Sequence, residues 1–237
     1  MQLPREATIH VAMTHWSRHW RLYASMVIVG LLAGAFGMIA DEMSEGETAA
    51  FDNAILMLFR DPANPGQPFG PVWLQEAVRD ITALGSFSIL ALILILVVAA
   101  LALTGRRGTA LFVAVSVVGG EILSSAFKAA FNRTRPDYID PEHVLSASFP
   151  SGHAALSAVV YLTLGTILAG STDKPSLRAF YLGTAIFLTL VVGISRLYLG
   201  VHYPTDVLAG WALGVGWALL MGVAYRVWEM THPQKPL

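Results

Sequence analysis

The sequence predicts an all-α fold, a bundle of six transmembrane helices with short interfacial helices in an outer loop. Hydrophobic residues make up 55% of the 237 and charged residues only 13%, whereas a soluble domain carries about 25% charged residues. Six apolar runs approach the roughly 20 residues that a helix needs to cross a bilayer. No repeat or linker divides the chain, so residues 1–237 are expected to form one domain.

The six predicted spans are residues 22–40, 86–104, 109–127, 151–170, 178–196 and 206–225. The alternative for the first run is a cleaved signal peptide. However, the segment before it is longer and richer in Trp and His than the n-region of a signal peptide. The only A-x-A pattern, from Ala33 to Ala35, lies inside the apolar run. We therefore expect the first helix to be retained.

The distribution of Lys and Arg predicts the orientation, because cytoplasmic loops of membrane proteins are enriched in both. Six helices place both termini on one side, together with nine of the fifteen cations: Arg5, Arg18, Arg21, Arg106, Arg107, Lys174, Arg178, Arg226 and Lys235. The other side holds Arg60, Arg79, Lys128, Arg133, Arg135 and Arg196. We expect a multi-pass protein of the bacterial inner membrane with cytoplasmic termini.

The longest poorly apolar region, the outer loop 41–84, contains two amphipathic patterns. Apolar residues recur at helical spacing in 51–59 and again in 72–81, and Pro and Gly between them break any helix. Two interpretations fit. Either two short helices lie in the membrane surface, with Trp73 at the headgroup level, or they cap the bundle.

Composition also excludes some functions. The net charge of −1 offers no basic surface for nucleic acid, so the expected partners are the bilayer and a lipid. The chain has no cysteine, which excludes disulfides and thiolate chemistry.

A first polar cluster lies where the third predicted helix leaves the membrane. Lys128 and Arg135 supply positive charge just before Pro136, which ends the helical path. Arg binds phosphate oxygens in a bidentate manner. The alternative is that both cations are interfacial anchors.

A second cluster, Pro150-Ser151-Gly152-His153, opens the fourth predicted helix. A helix N-terminus presents unpaired N–H groups that suit an anion, and Gly152 lets the backbone approach a ligand closely. Ser151 offers a hydrogen bond, and His153 is placed to donate a proton. An ordinary N-cap at Ser151 is the alternative.

A third cluster combines Ser195-Arg196 with His202 and Asp206. Residues four apart share one face of a helix. A carboxylate that accepts from one imidazole nitrogen leaves the other nitrogen with a lone pair for nucleophilic attack. The alternative is a helix cap at Asp206 with unrelated neighbours.

Together the three clusters resemble the signature of the type 2 phosphatidic acid phosphatase superfamily: K-x6-RP, PSGH and SR-x5-H-x3-D. Residues 128–206 match it without a departure. The resemblance implies an integral membrane hydrolase that removes a terminal phosphate from a lipid phosphate or diphosphate through a phosphohistidine. Undecaprenyl diphosphate, phosphatidylglycerophosphate, phosphatidate and lipid A phosphate all remain candidate substrates.

The resemblance also implies a role for each motif residue. His202 would attack phosphorus, Asp206 would hold and polarise it, and His153 would protonate the leaving lipid oxygen. The phosphate oxygens would bind to Lys128, Arg135, Arg196, Ser151 and the backbone N–H of Gly152. Because three cations would take the place of metal ions, neither a metal nor another cofactor is expected.

Two rival functions compete with this one. Vanadium haloperoxidases share the anion-binding constellation, but they are soluble, and six membrane helices argue against that activity. A non-catalytic lipid-binding or lipid-flipping membrane protein would have a degenerate site, yet His153, His202 and Asp206 are all present.

Two features lie outside the signature. Glu121, inside the third predicted helix on nearly the same face as Lys128, is either a functional intramembrane acid or a hydrogen-bonded glutamate that packs the bundle. Asn132-Arg133-Thr134 matches a glycosylation acceptor, but a glycan there would block the phosphate site, so we interpret the match as chance.

Overall fold

The structure is a computed structural model that describes residues 5–136 and 146–231. Its helices are α1 (Arg5–Glu45), α2 (Ala49–Met57), α3 (Val72–Ala83), α4 (Phe87–Leu103), α5 (Arg107–Phe131), α6 (Gly152–Gly170), α7 (Pro175–Tyr198) and α8 (Pro204–Thr231). Between α2 and α3, strands β1 (Arg60–Asp61) and β2 (Asn64–Pro68) pair antiparallel.

The described helices confirm the predicted all-α membrane bundle. Five are long and apolar enough to cross a membrane: α5, α6, α7, α8 and the Leu22–Glu45 part of α1. Helix α4 has only 17 residues. It passes the same criterion only together with α3, from which it is bent by 43°, and this pair is a sixth candidate if it is counted as one bent span. Helix α1 runs for 41 residues without a break.

Helix α6 is the centre of the bundle and packs against α5, α7 and α8, while α1 covers α8. Small residues let α6 and α8 approach closely. A Cβ added at Gly210 would lie 2.6 Å from the Ser151 carbonyl oxygen, and one at Gly214 would lie 2.4 Å from that of Ala155. This contact brings the beginnings of α6 and α8 together, and with them the second and third sequence motifs.

The outer loop contains both short helices that the sequence predicts. Helix α2 packs against α8 and exposes much of its apolar face, with Phe51 50% and Leu58 70% exposed. Its buried face is formed instead by Asp52 and Leu56. Helix α3 packs on α7 and leaves Trp73 exposed. Each helix therefore covers the bundle with one face, as the capping interpretation requires, and its other face points away from the bundle.

The β-hairpin between α2 and α3 was not predicted from the sequence. Strand β2 is rich in Pro and Gly, which are depleted in strands. Arg60 accounts for the position of the hairpin. Its buried guanidinium donates to the carbonyl oxygens of Leu197 and Tyr198, where α7 ends. The hairpin therefore closes over the end of α7 that leads to His202.

Candidate active site

The three motifs meet at one end of the bundle, where α5 and α7 end and α6 and α8 begin. The Ser151 N–H donates to the Asp206 carbonyl oxygen at 2.9 Å, which joins the second motif to the third. A Cβ added at Gly152 would lie 3.3 Å from Lys128 Cε, which joins the second motif to the first. Folding thus assembles one polar site from residues 128–206.

His202 lies between α7 and α8 and is 2% exposed. Arg135 Nη1 lies 3.1 Å from its Nε2. Because a guanidinium can only donate hydrogen bonds, Nε2 must carry the lone pair and Nδ1 the proton. The Nδ1–H faces Ser148 Oγ at 3.3 Å and Asp206 Oδ2 at 3.4 Å. This is the tautomer that a nucleophilic Nε2 requires.

Asp206 is fully buried, and hydrogen bonds hold both of its carboxylate oxygens. Oδ2 accepts from the Tyr203 N–H at 2.8 Å and from the Ser148 hydroxyl. Oδ1 accepts from Arg133 Nη1 at 2.7 Å. The carboxylate therefore cannot rotate away from His202 without breaking several charge-assisted bonds.

Arg133 continues this network away from the histidine. Its Nη2 forms an ion pair with Asp52 Oδ2 at 2.7 Å, and the guanidinium lies 4.2 Å from the centre of the Tyr203 ring. Burial disfavours the charged form, but Asp206 and Asp52 outweigh it and raise the pKa of Arg133 above its ordinary value. Asp52, at the start of α2, is also fully buried.

The three predicted phosphate-binding cations each donate to an oxygen at this end: Lys128 Nζ to Ala147 O at 2.8 Å, Arg135 Nη1 to Val201 O at 2.8 Å and Nε to Ser146 O at 3.0 Å, and Arg196 Nη1 to Thr82 Oγ1 at 2.9 Å. Burial lowers the pKa of Arg135, and the negative charge of Asp206 opposes that shift. All three cations interact electrostatically with His153.

Two polar atoms of the site are buried and lack a hydrogen-bond partner among the described residues. They are Ser151 Oγ and Arg196 Nε. Buried polar groups almost always find a partner, and an anion oxygen would serve both of these donors. Ser151 precedes the first residue of α6, yet its side chain makes no capping hydrogen bond. The simple N-cap alternative for this serine is therefore not realised.

His153 is half-buried in the first turn of α6. A Cβ added at Gly85 would lie 3.3 Å from the His153 ring and 2.3 Å from a Val192 methyl group. The turn between α3 and α4 therefore packs directly against the predicted general acid. Larger residues at Gly85 have no room.

All eight predicted site residues lie at this end, and the structure adds Ser148, Arg133, Asp52 and Thr82, which the sequence reasoning missed. Arg133 lies inside the first motif, so the sequence indicated that it is close to the site. Its ion pairs could not be predicted from the sequence. Glu121 accepts from Ser125 at 2.9 Å, which supports its interpretation as a hydrogen-bonded glutamate. In the described ranges, no group of three or more His, Cys, Asp or Glu side chains is placed to hold a metal ion.

Burial lowers the pKa of His202 to about 3, although Asp206 favours the protonated form. An unfolded histidine titrates near pH 6.5. The folded protein should therefore lose stability as pH falls below about 6.5, because only the unfolded state takes up this proton. In histidine-labelled protein, the 15N signals of His202, assigned by their loss in His202→Gln, should stay constant between about pH 5 and 8. A titration midpoint in that range would contradict a neutral nucleophile.

A buried histidine–carboxylate pair beside three cations, at the end of a membrane bundle, defines the protein as a membrane phosphatase. The family model of the PAP2 superfamily matches residues 109–229, and the chain belongs to this superfamily. The resemblance stated from the three sequence motifs is thereby confirmed.

Named relatives agree with this class. Phosphatidylglycerophosphatase B of Bacillus subtilis is 33% identical over 145 residues, covering 60% of this chain and 71% of that one. Lipid A 1-phosphatase of Rhizobium etli is 30% identical over 120 residues, covering 46% and 47%. The crystal structure of a transmembrane PAP2 type phosphatidylglycerolphosphate phosphatase from B. subtilis superposes with a TM-score of 0.72 at 28% identity, covering 87% of this chain and 98% of that one.

Proposed function

We propose that this enzyme hydrolyses the terminal phosphate of a membrane lipid in two steps, through a phosphohistidine at His202. One observation supports this proposal above the others. The His202 Nε2 lone pair faces Arg135, while Nδ1–H is held towards Asp206. All proposed catalytic residues lie within a single bundle, and we take residues 1–237 as one phosphatase domain.

In the first step, the phosphate oxygens bind to the three cations, the Ser151 hydroxyl and the Gly152 N–H. Arg135 exchanges its contact with Nε2 for a phosphate oxygen, which frees the lone pair. Nε2 then attacks phosphorus, and the bond from phosphorus to the lipid oxygen breaks. His153 donates a proton to that oxygen. Catalysis is thus mainly positioning and charge stabilisation, as phosphoryl transfer requires.

In the second step, water attacks the phosphorus of the phosphohistidine. His153, deprotonated by the first step, accepts a proton from the water, and the bond from phosphorus to Nε2 breaks. Inorganic phosphate leaves, and His202 returns to its neutral form with Nδ1 protonated. Asp206 stabilises the positive charge that the ring carries while phosphorylated.

We infer that the substrate is a lipid phosphomonoester and place phosphatidylglycerophosphate first among the candidates. The B. subtilis relative and the superposed crystal structure both carry names that refer to this lipid. An apolar tail can stay in the bilayer while the phosphate reaches the end of the bundle where the motifs meet.

Phosphate release from a lipid panel in detergent tests this function. Phosphatidylglycerophosphate should give the highest kcat/KM, about tenfold above phosphatidate, undecaprenyl diphosphate and lipid A phosphate. A soluble phosphomonoester serves as the control for the lipid anchor. Because the cations supply the positive charge, excess EDTA should leave the rate unchanged. No release from any lipid would favour the non-catalytic lipid-binding alternative, and loss in EDTA that Mg²⁺ restores would contradict metal independence.

We also propose that the active site faces the outer side of the inner membrane, as the cation distribution predicts. A cysteine-free chain makes this testable. A cysteine at His143, between the first two motifs, would report on the active-site end, but His143 lies outside the described residues. Two exposed residues are suitable labelling positions: Ala63, in the hairpin at the active-site end, and Asp173, between α6 and α7 at the other end.

Ala63→Cys should react with an impermeant thiol reagent in intact cells with an opened outer membrane. Asp173→Cys should react only after the inner membrane is disrupted. The reverse pattern would place the active site in the cytoplasm. Equal labelling of both positions in intact cells would show a leaky membrane. As a control for leakage, a cytoplasmic protein with a known cysteine is followed in cells that carry the unmodified chain.

A further inference from the structure

The orientation of Asp206 depends on Arg133, which occupies one of the unspecified positions of the first motif. Arg133 Nη1 binds Asp206 Oδ1, and this leaves Oδ2 to face the His202 Nδ1–H. Loss of Arg133 would leave the buried Oδ1 without its charged partner, which is costly, and only the contacts of Oδ2 would then orient the carboxylate. The orientation of the Asp206 carboxylate beside the nucleophile therefore depends on Arg133.

Arg133 is in turn held by Asp52, which lies on α2 about 80 residues earlier in the chain. Asp52 Oδ2 accepts from Arg133 and from the Thr205 hydroxyl, and its Oδ1 accepts from the Thr205 N–H at 3.0 Å. The first N–H groups of a helix have no partner within it, so Asp52 caps α8 from another helix. It fixes the same turn that carries Asp206.

We propose that Asp52 and Arg133 are positioning residues for the nucleophile. They hold Asp206 so that its Oδ2 faces His202 Nδ1, which keeps the lone pair on Nε2. No hydrogen bond in the described residues joins Asp52 or Arg133 to His202 or to the three phosphate-binding cations. Their effect on the reaction therefore passes through Asp206. This inference rests on the proposed role of His202.

Asp52→Asn tests the proposal, because asparagine keeps the shape and can still accept from Thr205 but lacks the charge that holds Arg133. The kcat should fall about 10- to 100-fold, as for the loss of an outer partner of a catalytic histidine. KM should change by less than about twofold, because Asp52 does not contact substrate. Asp61→Asn, which removes a carboxylate from the neighbouring hairpin, is the matched control and should leave kcat unchanged.

Arg133→Lys is the second variant, since a lysine keeps the charge but cannot present two fork nitrogens to two carboxylates. It should lower kcat as Asp52→Asn does, and the double variant should be little worse than either single one. A kcat for Asp52→Asn equal to that of Asp61→Asn, or a loss confined to KM or to the melting temperature, would overturn the proposal. Full activity of His202→Ala would instead overturn the proposed function itself.

A separate observation concerns the opposite end of the bundle, where α1, α5, α6 and α8 enclose a cavity of about 530 Å³. Arg106 and Arg226 both line it. The Thr109 and Tyr225 hydroxyls form a hydrogen bond of 2.8 Å in its wall. The cavity is thus polar and cationic although membrane-spanning helices surround it.

Arg106, which lines this cavity and is only partly buried, carries two nitrogens that lack a partner in the described part of the chain. Its Nε and Nη1 are both buried and make no hydrogen bond to any described residue. Asp173 is the only acidic residue among the described residues that line the cavity, and it pairs with Arg178. Two arginines in a lining whose one described acidic residue is paired elsewhere favour an anionic ligand.

We propose that this cavity binds a phosphate group of an anionic phospholipid from the leaflet opposite the active site. Basic pockets between transmembrane helices recognise such headgroups, and this cavity lies where α5 begins and α6 ends. A soluble phosphate compound offers the same chemistry, so the experiment must separate the two sources.

Phosphatidylglycerol with a photoreactive headgroup, crosslinked in nanodiscs and located by peptide mass spectrometry, provides the test. Crosslinks to residues 218–226 should fall about tenfold in Arg106→Gln. Arg107→Gln, which alters an exposed neighbour outside the cavity, is the matched control and should retain them. Competition by inorganic phosphate would assign a soluble ligand, and no competition assigns the lipid. Equal crosslinking in both variants, or crosslinks confined to residues 128–206, would overturn the proposal.

Discussion

Replacement of His202 by alanine should abolish phosphate release, by roughly 10⁴-fold or more, while the bundle stays folded. The reason is that, in the proposed mechanism, His202 Nε2 forms the bond to phosphorus. Initial rates with the best lipid of the panel measure the effect, and thermal unfolding checks that the variant is folded.

A matched control separates lost chemistry from lost structure. His202→Gly leaves space for free imidazole, which can act as an external nucleophile and restore part of the rate. His202→Ala with activity within about tenfold of the unmodified enzyme would show that another group attacks phosphorus. His153→Ala should be less severe, about 10²- to 10⁴-fold, since general acid catalysis is usually worth that much.

Arg135→Gln should have the second largest effect, lowering kcat/KM by about 10³-fold, within the range known for arginines that stabilise phosphoryl transfer. Arg135 touches Nε2 of His202 at 3.1 Å and supplies positive charge beside it. Its loss therefore removes both charge stabilisation and alignment of the phosphate against the nucleophile. Arg135→Lys should keep only part of the kcat/KM of the unmodified enzyme, because an ammonium group cannot bind two oxygens in a bidentate manner.

Arg79→Gln provides the comparison for Arg135→Gln. Arg79 is an exposed cation on α3 and contributes to the same general charge at this end of the bundle. Its replacement should change kcat/KM by less than about twofold, because exposed charges are screened by solvent. Equal losses in both variants would show that the site depends on overall positive charge and not on the placement of Arg135.

The motif residues could be predicted because their chemistry is encoded at short spacing. Ser151 to His153 open α6, and His202 precedes Asp206 of α8 by only four residues, so local sequence places each group. Their assembly into one site was implied by the predicted ends of the helices. The contact that brings them together is between the backbone of α6 and two glycines of α8, Gly210 and Gly214. Nothing in the sequence distinguishes these two glycines from the others of the chain.

Asp52 was missed because the apolar residues of its helix are not the ones that face the bundle. In a soluble protein the apolar stripe of a helix faces the core. Here Phe51 of α2 and Leu58, which directly follows the helix, are exposed, while Asp52 and Leu56 are buried. The sequence pattern identified a helix correctly but did not identify which face carries the buried charge.

Ser148 and Thr82 were missed for a different reason. Ser148 donates to Asp206, 58 residues away, and Arg196 donates to Thr82, 114 residues away. Serine and threonine are common in loops and helix ends, so neither has a local signal. Only the packing of α3 on α7 and of the second motif on α8 brings these hydroxyls into the site.

The direct test of the central claim is the identity of the phosphorylated residue during turnover. Enzyme mixed with phosphorus-labelled lipid and quenched in alkali within one turnover should carry an acid-labile phosphate on the peptide that contains His202. The label should be absent from His202→Ala and accumulate in a variant with slowed hydrolysis, such as His153→Ala with an activated substrate. A label on His153, or turnover without any phosphoenzyme, would contradict nucleophilic attack by His202.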